Sequence, residues 1–332
     1  MQSLPARNPA TWLGLGLAAV IALAAPPAPA QAPPRNGAAS VAPAPAPRAL
    51  RAFPTPEEAV RALIAAIQAP TMQPLEEILG RQVLASIPPA ERQSTETRRA
   101  SGEWLAFQPF EISYPDEAQR NRAVALFGAT QVPLPASLVR TPRGWTFDAA
   151  GTIQALRERR IGINEANAIR ALRDLARAQE RFRVSNRSGD GVLQYAMRIS
   201  SSAPGRLDGL VARDTVPGQS HDLLNPPFAQ AEGEPGDARF NPPGGYGYRI
   251  LTAQGANAEG GARSYLVGGK LTEGFAVVAW PVRPGETGLS TFIMNHQGRV
   301  FERELGDATL GEVRRLTAFD PAPGWDAVDG ED

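Results

Sequence analysis

One long helical pattern followed by a run of strand patterns is the feature that most limits the fold of this chain. The helical pattern lies within residues 159–196 and includes the stretch RRIGINEANAIRALRDLARAQERF. Its apolar side chains recur at helical spacing on one broad face, and arginines recur on another. Between residues 246 and 301 the apolar side chains alternate, as in antiparallel strands, and glycines separate the runs. Because an apolar helix face must be covered, the helix is predicted to pack on the sheet that follows it.

The strand patterns contain two hairpin signals. Gly268-Gly269 separates two short apolar runs, and adjacent glycines accept the positive φ values of a two-residue turn. Residues 289–294 and 299–304 predict a second hairpin, and the apolar run at 275–280 predicts a buried strand. Together these runs predict an antiparallel sheet of four or five strands.

Residues 53–150 carry the pattern of a second, smaller domain. Thr55 is a favourable helix N-cap, and Pro56 suits the first helical position. Two further helical patterns follow, the first ending at Gly80 and the second covering residues 92–107. Short strand patterns broken by prolines complete the region. Helices followed by a small meander predict an α+β domain.

The predicted fold class of the whole chain is α+β, with a small helical and meander N-terminal domain before a long helix packed on an antiparallel sheet. Asn164 is the predicted N-cap of the long helix. Residues 203–245 hold many Gly and Pro residues and few apolar ones, so they are predicted to be a long irregular insertion. The predicted divisions are a signal peptide at 1–30, a disordered Ala/Pro-rich linker at 31–52, the N-terminal domain at 53–150, the C-terminal domain at 151–325 and a tail at 326–332.

Residues 1–30 have the layout of a secretory signal peptide. An unbroken apolar run precedes the small-residue pattern A-P-A, which ends at Ala30, so cleavage is predicted between Ala30 and Gln31. The apolar run is shorter than the about 20 residues of a membrane-spanning helix, and an uncleaved anchor is the alternative interpretation. The pattern therefore predicts an exported protein, periplasmic or secreted, without membrane insertion after cleavage.

The composition excludes several classes of function. The chain has no cysteine, so it offers no thiol nucleophile, no disulfide and no cysteine zinc site. Basic and acidic residues balance at 34 each, so no net field attracts nucleic acid, which is not an expected partner. No P-loop, dinucleotide fingerprint, H-E-x-x-H or G-x-S-x-G motif occurs. No catalytic residue, metal ligand or cofactor is therefore predicted, and the sequence favours a non-enzymatic protein.

Four side chains are candidate ligand-binding residues. Tyr246, Tyr248 and Trp280 lie in strand patterns beyond the irregular insertion, where aromatic rings can form a shallow platform for sugars or peptides. The alternative is ordinary packing in the core of the sheet. Asp190 lies in the turn N-R-S-G-D-G, which is similar to the start of a calcium loop, although Met197 stands where such a loop needs glutamate. The alternative for Asp190 is a turn in which it accepts hydrogen bonds from nearby backbone amides.

Neither of the two histidines is predicted to bind a metal or to act in catalysis. His221 falls in the irregular insertion, and His296 falls at a hairpin turn, where a solvated imidazole is the interpretation. Lys270, the only lysine, follows the Gly-Gly turn and is predicted to be hydrated.

Several motifs resemble a known family of bacterial exported proteins. RRIGINEANAIRAL, GDGVLQYA, RILTAQG, GFAVVAWP and TFIMNHQGRVFERELG, spread between Thr55 and Trp325, are similar to the family catalogued as domain of unknown function 2950 (DUF2950). The resemblance implies a secreted or envelope location and brings no established activity. Where the family has an aromatic D-G-L-Y-W-P run, this chain reads D-G-L-V-A-R at residues 208–213.

A second, fainter resemblance is to the globular part of type IV pilins. The pattern N-E-A-x-A-I-x-x-L, with Gln179 and Tyr195 further along, is similar to the long helix of pilins, and this implies a pilin-like C-terminal domain. The helix of a pilin polymerises through an apolar N-terminal half. Here residues 154–160 carry several charges, which cannot enter a membrane or a filament core uncompensated. Filament formation is therefore not predicted.

Three functions remain open at the level of sequence. The first is a soluble exported interaction or ligand-binding module whose partner is an unidentified envelope protein or polymer. The second is a hydrolase of cell-wall or extracellular polymers that uses carboxylates such as Asp190 and Glu273. The third is an accessory component of a pilus or secretion apparatus.

Overall fold

The computed structural model describes residues 49–187, 190–213, 222–237 and 239–328. The predicted cleavage site between Ala30 and Gln31, the signal peptide before it and the linker up to residue 48 lie outside the described residues. Contacts within the chain divide it into two compact units, with the boundary between Arg159 and Arg160. None of the described helices is long and apolar enough to cross a membrane.

The described part of the first unit contains four α-helices and the start of a fifth, together with an antiparallel sheet. Its described helices are α1 (Pro56–Gln68), α2 (Gln73–Leu79), α3 (Arg81–Ala85) and α4 (Thr95–Ala106). Its strands are β1 (Phe110–Ser113), β2 (Arg122–Phe127), β3 (Val132–Pro133), β4 (Leu138–Thr141) and β5 (Gly144–Phe147). The sheet order is β1-β2-β4-β5, and β3 pairs with β2. Helices and sheet share one buried apolar cluster that includes Leu63, Ile67, Leu75, Phe127 and Phe147.

Signals close together in the chain position most of these elements. Thr55 caps α1 as predicted, because its hydroxyl oxygen accepts a hydrogen bond from Glu58 N at 3.2 Å. Gly80 ends α2 as predicted, with a φ of 88° that favours glycine. The third predicted helix is confirmed, but it begins at Thr95 behind a Ser94 cap. Strands β3 and β4 escape prediction because they are short and lie among prolines.

The second unit combines a long helix with a five-stranded antiparallel sheet. The helix α5 (Ala149–Val184) begins in the first unit and continues into the second. The strands are β6 (Tyr246–Leu251), β7 (Ala253–Gln254), β8 (Arg263–Ser264), β9 (Leu266–Val267), β10 (Lys270–Leu271), β11 (Ala276–Pro281), β12 (Ser290–Asn295), β13 (Val300–Glu304) and β14 (Asp326–Ala327). The sheet order is β14-β13-β12-β11-β6, and β7 with β8 and β9 with β10 form small hairpins.

The apolar face of α5 and the sheet contribute to the same core. Leu172, Leu175 and Phe182 of α5 belong to one buried cluster with Trp280 of β11 and Phe292 of β12. The α+β fold class is thus confirmed.

The predicted N-cap of the long helix is wrong. The helix begins at Ala149, where Asp148 Oδ1 accepts a hydrogen bond from Gly151 N at 3.0 Å and so acts as the cap. Asn164 lies inside the helix, and its Nδ2 donates to the carbonyl of Thr287 at 2.9 Å. An Asn side chain can bond either its own helix or a distant backbone group, and the sequence alone does not distinguish these.

Both predicted hairpins are confirmed. Gly268 and Gly269, with φ values of 58° and 80°, join β9 to β10. Strand β12 pairs with β13, and β13 is followed by a 3₁₀ turn and the short helix α6 (Thr309–Arg315). The predicted tail begins with a strand, because Asp326–Ala327 pairs with β13.

The predicted insertion is irregular but tied down by side chains. Its described part contains 3₁₀ helices at Pro226–Ala231 and Pro243–Gly245 and isolated β-bridges at Val211 and Glu232. The two carboxylate oxygens of Glu232 accept hydrogen bonds from Ile199 N (2.8 Å) and Ser200 N (2.7 Å). Charged acceptors of this kind fix a segment that has no strand ladder of its own.

Candidate functional site

The structure places the three candidate aromatic residues in the core. Tyr246, Tyr248 and Trp280 are 1%, 5% and 0% exposed. The Tyr246 hydroxyl donates to the carbonyl of Ser290 at 2.8 Å, and burial raises the pKa of both tyrosines. No ring face of the three is left for a ligand in this conformation. The alternative interpretation, packing within the sheet, therefore accounts for them.

The fourth candidate, Asp190, lies at the surface in an ion pair with Lys270. Lys270 Nζ is 2.7 Å from Asp190 Oδ2, and Val192 N donates to Asp190 Oδ1 at 3.0 Å. The predicted hydrated Lys270 is about one-third exposed, and it also has an ion-pair partner, because folding brings β10 beside the turn that holds Asp190. Glu273, the other carboxylate of the hydrolase hypothesis, is exposed. Within the described residues no group of three or more acidic residues or histidines is arranged to hold a metal ion.

Tyr195 connects this turn to the C-terminal end of α5. Its backbone N donates to the carbonyl of Leu271 at 2.8 Å, so the segment pairs with β10. The Arg183 guanidinium carbon lies 5.7 Å from the centre of the Tyr195 ring, and the Phe275 ring is 5.0 Å away. Burial, followed by the negative charge of Glu180, raises the pKa of Tyr195.

A second ion pair lies on α5 beside this tyrosine. Glu180 accepts hydrogen bonds from Arg183 Nε (3.0 Å) and Nη2 (2.7 Å). This bidentate contact lowers the pKa of Glu180, because it favours the charged carboxylate.

Four exposed apolar side chains lie on the chain segments that carry these two ion pairs. Val184, Leu193, Met197 and Val267 are 59%, 49%, 48% and 55% exposed, and we call them the helix-end surface. Val184 ends α5, Leu193 and Met197 flank Tyr195, and Val267 lies across the Gly-Gly turn from Lys270. In the described part of the second unit, the remaining exposed large apolar residue is Leu289.

Gln179 holds the segment of the helix-end surface in place. Its side chain is fully buried in the apolar face of α5, donates through Nε2 to the Ala196 carbonyl (2.9 Å) and accepts from Ala196 N (2.8 Å). The Gln179 side-chain amide thus satisfies both backbone groups of Ala196, as the backbone of a neighbouring strand would. The sequence contains a signal for this role, since a glutamine interrupts the apolar stripe, but its partner cannot be read from the stripe.

His296 is half-buried, and not solvated as predicted. Its ring meets the edge of Tyr265 at 5.4 Å, and its backbone N donates to the Phe275 carbonyl at 2.9 Å. Its Nδ1 is buried, and no hydrogen-bond partner for it is found among the described residues. Burial, and then the charge of Arg263, lowers the pKa of His296.

Acidification is expected to destabilise the second unit through His296. Because the folded pKa lies below the unfolded value of roughly 6.5, the unfolded state binds more protons, so stability falls as pH falls below that value. Replacement of His296 by Phe keeps an aromatic ring on Tyr265 and removes the titration. Urea unfolding between pH 7.5 and 5 should therefore show a shallower loss of stability for the variant. Equal pH dependence in both proteins would rule out this role.

Comparison with known families matches residues 50–328 to the family described as "Protein of unknown function (DUF2950)". The match extends over almost all of the described chain. Comparison with curated proteins and with solved structures gave no match, so the fainter pilin resemblance gains no support.

Proposed function

Because the chain belongs to the DUF2950 family, which carries no assigned activity, we propose that its role follows from its surface: it is an exported, non-enzymatic interaction module of the bacterial envelope. The signal-peptide pattern that ends at Ala30 supports export, with a mature protein that begins at Gln31 in the periplasm or outside the cell. The partner in this proposal is another envelope protein.

The helix-end surface is the observation that carries this proposal. Contiguous exposed apolar patches on a folded unit typically mark sites of protein association. Here Leu193 and Val267 are each about half exposed. The ion pairs Glu180–Arg183 and Asp190–Lys270 come from the same segments of the chain as these apolar side chains. An apolar centre with a charged rim is the typical anatomy of a protein interface.

The supports of this surface are rigid. Gln179 fixes the segment at Ala196, and the backbone of Tyr195 pairs with Leu271. A surface that is already ordered loses little conformational entropy on binding, so more of the contact energy appears as affinity. This favours a preformed docking surface for a folded partner.

Charge introduced into the helix-end surface is expected to abolish capture of the partner. The double variant Leu193→Asp/Val267→Asp should weaken binding by about tenfold or more, since the partner would have to bury unpaired carboxylates. Leu289→Asp, which adds a charge at an exposed leucine elsewhere, is the matched control. Photo-crosslinking groups at positions 193 and 267 of the exported protein should label one and the same envelope protein, and a group at 289 should not.

Separate results would contradict the proposed docking surface, the proposed protein partner and the proposed cleavage. Equal capture by the double variant and the wild type would remove the helix-end surface from the function. Retention of a polysaccharide without any crosslinked protein would shift the partner to an envelope polymer. Intact mass of the purified exported protein tests the proposed cleavage of the signal peptide, because a chain that still carries Met1 would exclude cleavage at Ala30.

A further inference from the structure

The second unit also contains a groove of about 250 Å³ along the polar face of α5. Arg177, Arg181 and Asp174 of the helix line one side of it, and Leu223, Asn225 and Phe228 line the other. None of these residues belongs to the helix-end surface. We call this feature the arginine groove.

Positive charge dominates the helix side of the groove. Arg170, Arg173, Arg177 and Arg181 recur at helical spacing on one face of α5, and Asp174 and Glu180 are the acidic residues between them in sequence. Arg177 Nη2 bonds Asp174, and Arg181 Nη2 donates to the carbonyl of Leu223. A guanidinium has five N–H donors in a planar fork, so each of these arginines can still bind an anion.

The opposite wall combines the apolar side chains of Leu223 and Phe228 with the amide of Asn225. The Phe228 ring packs 5.6 Å from the ring of Tyr248, which is buried in the sheet. Leu224, beside Leu223, is also buried, and Asp222 accepts a hydrogen bond from Ala212 N at 2.7 Å. The contact from Arg181 to Leu223 ties the wall directly to the helix. The groove is therefore preformed, with charged donors on one side and an aromatic ring on the other.

We propose that the arginine groove binds an extended acidic peptide segment of a partner protein, in which a carboxylate neighbours an apolar side chain. The fork of Arg177 or Arg181 matches a carboxylate with two parallel hydrogen bonds. The apolar neighbour packs on Phe228. Asn225 offers one acceptor and two donors, which complement the N–H and C=O groups of a peptide backbone. A phosphate polymer presents acceptors alone, so the mixed wall favours a peptide.

The proposal is tested with defined peptides on the full mature chain. The probe is a fluorescent peptide of alternating Glu and Leu, and matched probes replace Glu by Gln or Leu by Ser. Binding is expected for the Glu/Leu peptide, with an affinity that falls as salt is raised. Arg177→Glu/Arg181→Glu should weaken it by about tenfold to a hundredfold, since charge-assisted hydrogen bonds are replaced by repulsion. Arg181→Lys, which keeps the charge without the fork, should give a smaller loss.

Two controls make the result specific. Arg303→Glu/Arg315→Glu changes the net charge equally at exposed arginines outside the groove and should bind as the wild type does. Leu193→Asp/Val267→Asp should also bind the peptide normally, so failure of the arginine groove and failure of the helix-end surface are distinguishable. Equal binding of the Gln/Leu peptide, of the Glu/Ser peptide or of polyphosphate would overturn the proposal, as would unchanged binding by the groove variant.

Discussion

Replacement of Trp280 by Ala is expected to lower the free energy of unfolding of the second unit by about 3–5 kcal/mol. The indole is fully buried in β11 and lies across from Gly247 of β6, where a Cβ atom would come within 2.5 Å of the ring. The Phe240 ring packs 6.3 Å away. Removal of the indole leaves a cavity that the two paired strands cannot close without losing their register.

Two companion variants test this packing argument. Trp280→Phe should cost less, about 1–2 kcal/mol, because most of the volume remains. Gly247→Ala should lower the free energy of unfolding of the wild type. The loss should be smaller in the Trp280→Ala background, where the cavity accepts the added methyl group. Urea unfolding measures the change in the free energy of unfolding for each variant. Hydrogen exchange by mass spectrometry should assign the loss of stability to residues 160–328. A loss confined to the first unit would contradict the prediction.

Replacement of Arg98 by Ala is expected to destabilise the first unit by about 3–5 kcal/mol. Arg98 of α4 is 1% exposed, and its guanidinium donates to the carbonyls of Ala66, Ile67 and Ala69 at the end of α1. Those carbonyls carry the negative end of the helix dipole, so the cation is stabilised there although burial lowers the pKa of Arg98. Alanine would remove the donor that these three carbonyls share.

The adjacent residue provides the control for Arg98. Arg99 is exposed, and its nearest carboxylate is Glu103 at 4.0 Å, so Arg99→Ala should change stability by less than about 0.5 kcal/mol. Arg98→Lys should give an intermediate loss, because an ammonium reaches fewer of the three carbonyls. Chemical unfolding of the three variants checks the order. Equal effects at positions 98 and 99 would show that the buried guanidinium does not hold α1 to α4.

The elements predicted correctly from the sequence depend on interactions between near neighbours in the chain. The hydroxyl of Thr55 bonds an amide three residues later, and Gly268-Gly269 supplies the positive φ values that a tight turn needs. In such cases the residue type and its partner lie in the same short window. Caps, hairpins and the period of the long helix are therefore encoded locally.

The candidate site was harder to predict because its parts come from distant segments. Asp190 and Lys270 are 80 residues apart in the chain, and Gln179 bonds Ala196 in the segment beyond the end of the helix. The carbonyl partners of the buried Arg98 guanidinium likewise come from another segment, the end of α1. In the sequence these are ordinary polar residues, since nothing nearby in the chain identifies their partners.

The α+β class, the periodicity of the main elements and the family could be read from the sequence, because these follow from local spacing and composition. The burial of individual side chains depended instead on the tertiary structure. Tyr248 alternates as a residue of a half-exposed strand would, and Trp280 lies in an apolar run, but Phe228 and Phe240 of the irregular insertion pack against these two rings. Burial depends on which distant segment covers a face, and that is a property of the assembled chain and not of any window within it.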